Sequence, residues 1–319
     1  VQRWNGLSQV PAGVGPSVVT IGNFDGVHRG HAQVITRLVD RARELSARSV
    51  AITFDPHPAQ VHRPAEAPPL ICGLTDRLDL LEQAGLDAVL VVPYTLELAR
   101  LTPREFVAEY IVGALGACTV AVGRDVRFGL NNSGTLATMI ELGQDLGFTV
   151  EVIGDVGSDG TARWSSSGVR ELLLAGDVAG AAHVLGRPHR LRGVVVHGDA
   201  RGRELGFPTA NLSPDAEGMV PADGVYAGWV RRPSATHDAV LPAAISIGTN
   251  PTFDGVQRRV EAYVLDRTDL DLYGEEIVVE LVERLRPTLR FDGLEPLIVQ
   301  MHDDVARARE ILAAGPAGG

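Results

Sequence analysis

The chain predicts an α/β fold in its first half, a parallel sheet covered by helices, followed by a small antiparallel barrel and a terminal helix. Three observations carry this expectation. Strands and helices alternate to about residue 185, Gly186-Arg187-Pro188 breaks the pattern, and short β-rich runs separated by Gly, Pro and Asp follow. With 319 residues there is room for two domains of ordinary size, and a hydrophobic content of 45% supplies a core to each. The expected division is 1–186 and 187–319.

Residues 18–21 form a short apolar run ending at Gly22, a buried strand. Residues 31–46 place Val34, Ile35, Leu38, Val39, Ala42 and Leu45 on one stripe, an amphipathic helix. A second strand, 50–54, is closed by Asp55-Pro56-His57-Pro58. Helix 75–84, strand 88–92, helix 106–115 and strand 119–123 continue the alternation. Ligands of such sheets bind beyond the carboxyl ends of the strands, where segments 22–31, 55–58 and 123–134 fall. Two short helices, 166–175 and 177–185, close this half. Beyond the break, 191–196, 225–230, 243–247, 260–265 and 277–285 read as barrel strands. Residues 294–313 read as a helix with Leu297, Ile298, Met301, Val305, Ala308 and Leu312 along one face. Asp303-Asp304 are expected on its polar side, and Arg231-Arg232 and Arg258-Arg259 as solvated turn charges.

Composition excludes several chemistries. All 29 basic residues are Arg, with no Lys anywhere. A Walker A loop, a protein-kinase strand lysine and a Schiff base each need Lys, so ATP would have to be held by backbone N–H groups, His, Arg and metal. A net charge of -11 disfavours nucleic-acid binding. Cys72 and Cys118 form neither a disulfide framework nor a CxxC pair, which fits a reducing cytosol and argues against structural zinc. No apolar run reaches membrane-spanning length and the first residues lack a signal-peptide core, so a cytoplasmic protein is expected. Oligomeric state is not legible.

The sharpest local feature is Gly22-Asn23-Phe24-Asp25-Gly26-Val27-His28-Arg29-Gly30-His31, between a strand and a helix. Two His flanking a glycine at a helix N-terminus make an anion site: N–H groups and the helix dipole face phosphate, and imidazoles donate to its oxygens. The run resembles the HxGH signature of nucleotidyltransferases, in the GxFDGxHxGH form of prokaryotic FAD synthetases. The resemblance implies a Rossmann-like domain in which the phosphate of FMN attacks the α-phosphate of ATP in line and pyrophosphate leaves. His28 and His31 would then stabilise developing charge, with Gly22, Asn23, Phe24, Asp25 and Gly30 holding ATP. The family's second phosphate motif, SSTxIR, is similar to Ser165-Ser166-Ser167-Gly168-Val169-Arg170, and implies Ser165, Ser166, Ser167 and Arg170 as further ATP contacts. Flavin-side segments of the family resemble 54–58 and 123–129, implying Phe54, Pro56, His57, Pro58, Asp125 and Phe128.

A second dense constellation runs from Gly198 to Asn211 and includes Gly202, Arg203, Gly206, Phe207, Pro208 and Thr209. Glycines and arginines in one loop suit a polyphosphate, and Thr209 and Asn211 offer neutral oxygens to a hard cation such as Mg²⁺. The run resembles the GxxxGRxLGFPTAN motif of riboflavin kinases. Residues 221–226, 246–253, 260–263, 272–274 and 284–287 continue the likeness. It implies a six-stranded barrel, with Gly198, Gly202 and Arg203 at ATP, and Thr209 and Asn211 at both ATP and Mg²⁺. Glu261 would be the base for the riboflavin 5′-hydroxyl, and Arg286 a flavin-side or phosphate-side residue. The two resemblances together imply a bifunctional enzyme acting on riboflavin, FMN and ATP. The alternatives are adenylyl transfer to another phosphate acceptor and a flavin-binding regulator without turnover. A class I aminoacyl-tRNA synthetase would need the Lys that this chain lacks.

Overall fold

The computed structural model describes residues 1–154, 164–198, 206–237, 239–252, 255–267 and 269–315, with backbone alone at 250–252 and 255–257. Contacts divide the chain into two compact units. One comprises Val1–Pro69 with Leu74–Ser165, the other Leu70–Gly73 with Ser166–Gly319.

The first unit is built on six strands: β1 (Gln2–Asn5), β2 (Ser17–Ile21), β3 (Arg48–Asp55), β4 (Ala88–Pro93), β5 (Ala117–Gly123) and β6 (Thr149–Ile153). All pair in parallel, in the order β1-β4-β3-β2-β5-β6. Strand residues alternate between faces, and both faces are apolar. Val19, Val50, Ile52, Leu90, Val92 and Val120 enter one core, while Val18, Ala51, Val89, Val91 and Ala121 enter another. This is why the strands read as unbroken apolar runs. Helix α1 (Arg29–Glu44) covers the second face with Ile35, Leu38, Val39 and Ala42. It is joined there by Leu78 and Leu81 of α3 (Leu74–Gln83), which follows the short α2 (Pro58–His62). The first face is covered by α4 (Pro103–Phe106), which runs on as a π-helical stretch Val107–Ala114, and by α5 (Leu136–Leu146). Strands β1 and β6 and helices α2 and α5 lie in segments where the sequence reading assigned no element.

The order places the topological switch between β2 and β5, because the chain winds outward from β2 through β3 and β4 and then returns to β5 on its other side. A crevice opens at the carboxyl ends of the strands at such a point. The loops after β2 and β5, the two richest in expected site residues, both leave from it.

The second unit is a closed barrel of β7 (His189–Val196), β8 (Ala210–Leu212), β9 (Gly224–Arg231), β10 (Val240–Thr252), β11 (Gly255–Val264) and β12 (Glu276–Pro287), in the order β10-β11-β8-β7-β12-β9. Five of these were visible as β-rich runs. The sixth, β8, has only three residues, too few to register as a run. Helices α6 (Ser166–Ala175) and α7 (Val178–Leu185) give Val169, Leu173, Val178, Ala181 and Leu185 to the barrel's core, and Ile71 joins them. Helical period groups α6 and α7 with the helix-rich half, whereas their burial groups them with the barrel. Helix α8 (Leu294–Leu312) packs Ala308 and Leu312 against Ala227, Trp229, Ala244 and Leu285.

Two charge expectations are corrected. Asp304 is buried, on the same stripe as Ala308 and Leu312, because Arg286 donates to both its carboxylate oxygens at 2.8–3.0 Å. Arg231 and Arg258 are strand residues and Arg232 follows directly on β9. Arg231 lies 2.7 Å from the buried Glu280, Arg232 donates twice to Glu275, and Arg258 bonds Asp223 and the carbonyls of Val220 and Pro221. Exposed turn charges and strand-edge ion pairs look alike in sequence, since both are Arg beside polar residues.

Candidate active sites

The loop between β2 and α1 is strained where its side chains matter most. Phe24 and Val27 have φ of 49° and 40°, a region that β-branched and bulky residues rarely enter. His28 is the N-cap of α1, and its Nδ1 accepts from the N–H of His31 at 3.3 Å. An imidazole whose Nδ1 accepts must carry its proton on Nε2 when neutral, which leaves that N–H as a donor. The two rings stack at 3.7 Å with 19° between planes, and the buried Phe24 ring meets His31 edge-on at 5.3 Å. Burial, followed by the neighbouring His28, holds the His31 pKa well below the ordinary histidine value. His31 is therefore neutral near pH 7, and its Nδ1 is buried with no hydrogen-bond partner among the described residues. A Cβ on Gly30 would lie 3.1 Å from the His28 ring, so this glycine leaves room for the imidazole itself. Asp25 is buried. Gly22 continues the β-ladder through its N–H to the carbonyl of Ile52.

A cavity of about 830 Å³ opens at the same end of the sheet. Its walls come from the strand ends in turn: Ile21 ending β2 and Asn23 beyond it, Phe54 near the end of β3 with His57 and Pro58 beyond it, Tyr94 after β4, and Arg127, Phe128, Asn131 and Asn132 after β5. Of the residues expected on the flavin side, Phe54, His57, Pro58 and Phe128 line it, whereas Pro56 and Asp125 are exposed and do not. The sequence reading missed Tyr94, Phe106, Arg127 and His62. Tyr94 stands one residue beyond β4, a position that the strand-end rule could have flagged. It meets Phe54 edge-on at 5.6 Å, and its hydroxyl lies 2.9 Å from His62 Nε2. Aromatic walls beside imidazole and guanidinium groups suit a flat ring system carrying an anion.

Of the second phosphate motif, Ser165 precedes α6, while Ser166, Ser167 and Arg170 lie in its first turns within the barrel unit.

In the barrel, β8 and β11 pair antiparallel with Asn211 opposite Glu261. Alternation sends Ala210, Leu212, Val260 and Ala262 into the core and turns Asn211 and Glu261 to the other face. Thr209 Oγ donates to Glu261 Oε2 at 3.3 Å, and the Asn211 amide reaches the Thr209 carbonyl at 3.5 Å. A Cβ on Gly198 would sit 2.6 Å from the Asn211 amide, so Gly198 is packed directly on that side chain. Gly202 and Arg203 lie outside the described residues. The buried Phe207 ring leads into Thr209 and meets Tyr263 and His302 at 5.2 and 5.1 Å. Arg286 has a different setting: Asp304 grips its guanidinium, Gln300 braces Asp304, and Phe291 lies under the cation at 5.8 Å. Among the described residues no cluster of three or more His, Cys, Asp or Glu could hold a metal ion. Among the described residues no helix is long and apolar enough to cross a membrane.

Two family models match, FAD synthetase over residues 12–168 and riboflavin kinase over residues 185–312. The chain is 36% identical to the bifunctional riboflavin kinase/FMN adenylyltransferase of Escherichia coli K12, covering 95% of each chain. It is 38% identical to that of Pseudomonas fluorescens, covering 93% of each, and 35% identical to that of Bacillus subtilis, covering 92% and 91%. A crystal structure titled as a macrolide-efflux protein from Streptococcus pneumoniae superposes with a TM-score of 0.84 at 30% identity, covering 97% of this chain and 99% of that one. Matched from end to end by relatives of one kind, with an FAD synthetase segment ahead of a riboflavin kinase segment, the chain belongs to the bifunctional riboflavin kinase/FMN adenylyltransferase family.

Proposed function

We propose that two separate sites divide the work, with His28 and His31 serving adenylyl transfer and Glu261, Thr209 and Asn211 serving the kinase. The chain is a bifunctional riboflavin kinase and FMN adenylyltransferase; which residues do what is our reading. We assign adenylyl transfer to 1–186 and the kinase reaction to 187–319.

One observation carries the first assignment: a stacked histidine pair at the mouth of α1, its His31 held neutral by burial, on the strand end that also opens the aromatic cavity. FMN would lie with its ring system among Phe54, Tyr94 and Phe128 and its phosphate toward the loop. In-line attack on the α-phosphate of ATP builds charge on the phosphorus oxygens and expels pyrophosphate. Imidazole N–H groups and the N-terminus of α1 stabilise that charge. No covalent nucleophile is needed. Gly22, Asn23, Phe24, Asp25, Gly30, Ser165, Ser166, Ser167 and Arg170 are assigned to ATP on the same reading. Pro56, His57, Pro58 and Asp125 are assigned to the flavin side.

For the kinase, the carrying observation is the Thr209–Glu261 contact. Glu261 accepts the proton of the riboflavin 5′-hydroxyl as the hydroxyl oxygen attacks the γ-phosphate of ATP and ADP leaves. Gly198, Gly202 and Arg203 hold ATP and Arg286 faces flavin or phosphate. Thr209 and Asn211 present neutral oxygens side by side, a donor set that fits Mg²⁺ completed by phosphate and water. Bound there, the ion would neutralise phosphate charge. Two cysteines in neither a disulfide framework nor a CxxC pair support a cytoplasmic location.

The test is reciprocal. Supplied with riboflavin, ATP and Mg²⁺, Glu261→Ala should make no FMN yet convert added FMN to FAD. His28→Ala should accumulate FMN without FAD. A folded single variant that loses both activities contradicts the division.

A further inference from the structure

Arg77 on α3 is about 1% exposed, yet its guanidinium does not serve a buried carboxylate. The nearest carboxylate, Asp55, is 3.6 Å away and its side chain is 41% exposed. The hydrogen bonds run instead to two loops. Nη1 donates to the carbonyl of Asn23 at 3.2 Å, to that of Phe54 at 2.9 Å and to Thr53 Oγ at 3.3 Å. Thr53 Oγ itself donates to the Asn23 carbonyl at 3.2 Å. A single buried nitrogen thus spans the loop after β2 and the end of β3.

Burying a guanidinium is costly when no carboxylate matches it, and an apolar side chain would fill the space without that cost. What the guanidinium adds is geometric. Asn23 and Phe54 both line the cavity, one on the histidine loop and the other on the aromatic wall. Both carbonyls lie where the parallel ladder ends, so the sheet alone does not fix their separation. The N–H groups of one buried Nη1, held in the guanidinium plane, do fix it.

We propose that Arg77 is a positioning residue for adenylyl transfer, tying the ATP loop at Asn23 to the flavin wall at Phe54 and so setting the approach of one substrate to the other. This rests on assigning those two loops to ATP and FMN. Misplacement of reacting groups by about 1 Å costs up to about a hundredfold in rate, without requiring that either substrate bind less tightly.

The experiment uses the full chain with Arg77→Lys and Thr53→Val, singly and together. FMN adenylylation is measured with kcat and both KM values, the kinase reaction of the same molecules is the internal control, and thermal unfolding checks the fold. Arg77→Lys should lower kcat of adenylylation by about tenfold or more, with KM for ATP and FMN within about threefold and the kinase unchanged. Thr53→Val should lower kcat by less. The double variant should lose less than the product of the single effects, because both groups serve one carbonyl. A folded Arg77→Lys with full kcat, a loss confined to KM, or strictly multiplicative losses would overturn the proposal. If Arg77→Lys fails to fold, Thr53→Val decides, and full kcat there overturns it. His28→Ala separates the layers: inactive His28→Ala beside fully active Arg77→Lys sinks only the role of Arg77, while active His28→Ala sinks the site assignment beneath it.

Discussion

The two sites gather their residues in opposite ways. The proposed adenylyl site draws on Asn23, Phe54, Tyr94 and Phe128, one from the end of each of four parallel strands. The proposed kinase cluster draws on Thr209, Asn211 and Glu261, which sit on or beside two strands paired residue to residue. A parallel sheet collects distant segments at its carboxyl edge and leaves room between them, here about 830 Å³. An antiparallel pair sets side chains into contact by register alone. The first arrangement gives a pocket, and the second a fixed set of donors.

The hardest test of this contrast is to remove one chemical group from each. Glu261→Gln keeps shape and removes the proposed base, so FMN formation should fall by about 10²–10⁴ while FAD formation from FMN is untouched. His28→Ala should cut FAD formation by about 10²–10³. Comparable losses of both reactions in either variant would show that the sites are not independent.

A smaller effect probes how tightly each site is packed. A methyl on Gly198 would meet the Asn211 amide at 2.6 Å, whereas one on Gly30 would meet the His28 ring at 3.1 Å. The first demands that Asn211 move; the second asks the imidazole to give by a few tenths of an ångström. Gly198→Ala should therefore slow the kinase by about a hundredfold and Gly30→Ala slow adenylylation by about tenfold, scaled from the cost of misplacing a reacting group. The reverse ranking, read from kcat of each reaction, would mean that the barrel site is the more forgiving one.

This difference also explains what was legible beforehand. The histidine loop and the Gly198–Asn211 run are contiguous, so each shows as a motif with its context. Tyr94 and Phe106 carry no motif; only the strand order makes them neighbours of Phe54 and Phe128. Strand β8 escaped notice because three residues give no period, although the two on either side of its start, Thr209 and Asn211, did not. Arg77 was invisible for another reason: on an amphipathic helix it reads as a surface charge, and only the carbonyls of Asn23 and Phe54 make its burial intelligible. Asp304 deceived in the same way.

The pocket walls supply the next test. Tyr94→Ala removes one aromatic face and should raise KM for FMN by about three- to tenfold, the worth of one aromatic contact, with little change in KM for ATP. Asp125→Asn, at an exposed position outside the cavity lining, should have the smaller effect of the two. If Asp125→Asn raised KM for FMN more than Tyr94→Ala, the flavin would sit nearer the mouth of the loop than the cavity implies.

The smallest expected effect concerns protons, and it separates the two units by pH. His31 has its pKa held well below the ordinary 6.5, chiefly by burial. Below that value the unfolded chain binds a proton at this position that the folded chain does not accept. Unfolding is then favoured as pH falls through 6.5 and below, and the effect vanishes above about pH 7.5. The first unit should lose thermal stability between pH 7.5 and 5.5, and His31→Asn, which has no proton to refuse, should lose less over the same range. Within each protein, adenylyl transfer should not show a titration of His31 between pH 7 and 8, because the imidazole is already neutral there. Calorimetry at several pH values reads the difference directly. Equal pH slopes for the parent and His31→Asn would mean that His31 binds its proton alike in the folded and unfolded chains, and burial would then not be what keeps it neutral.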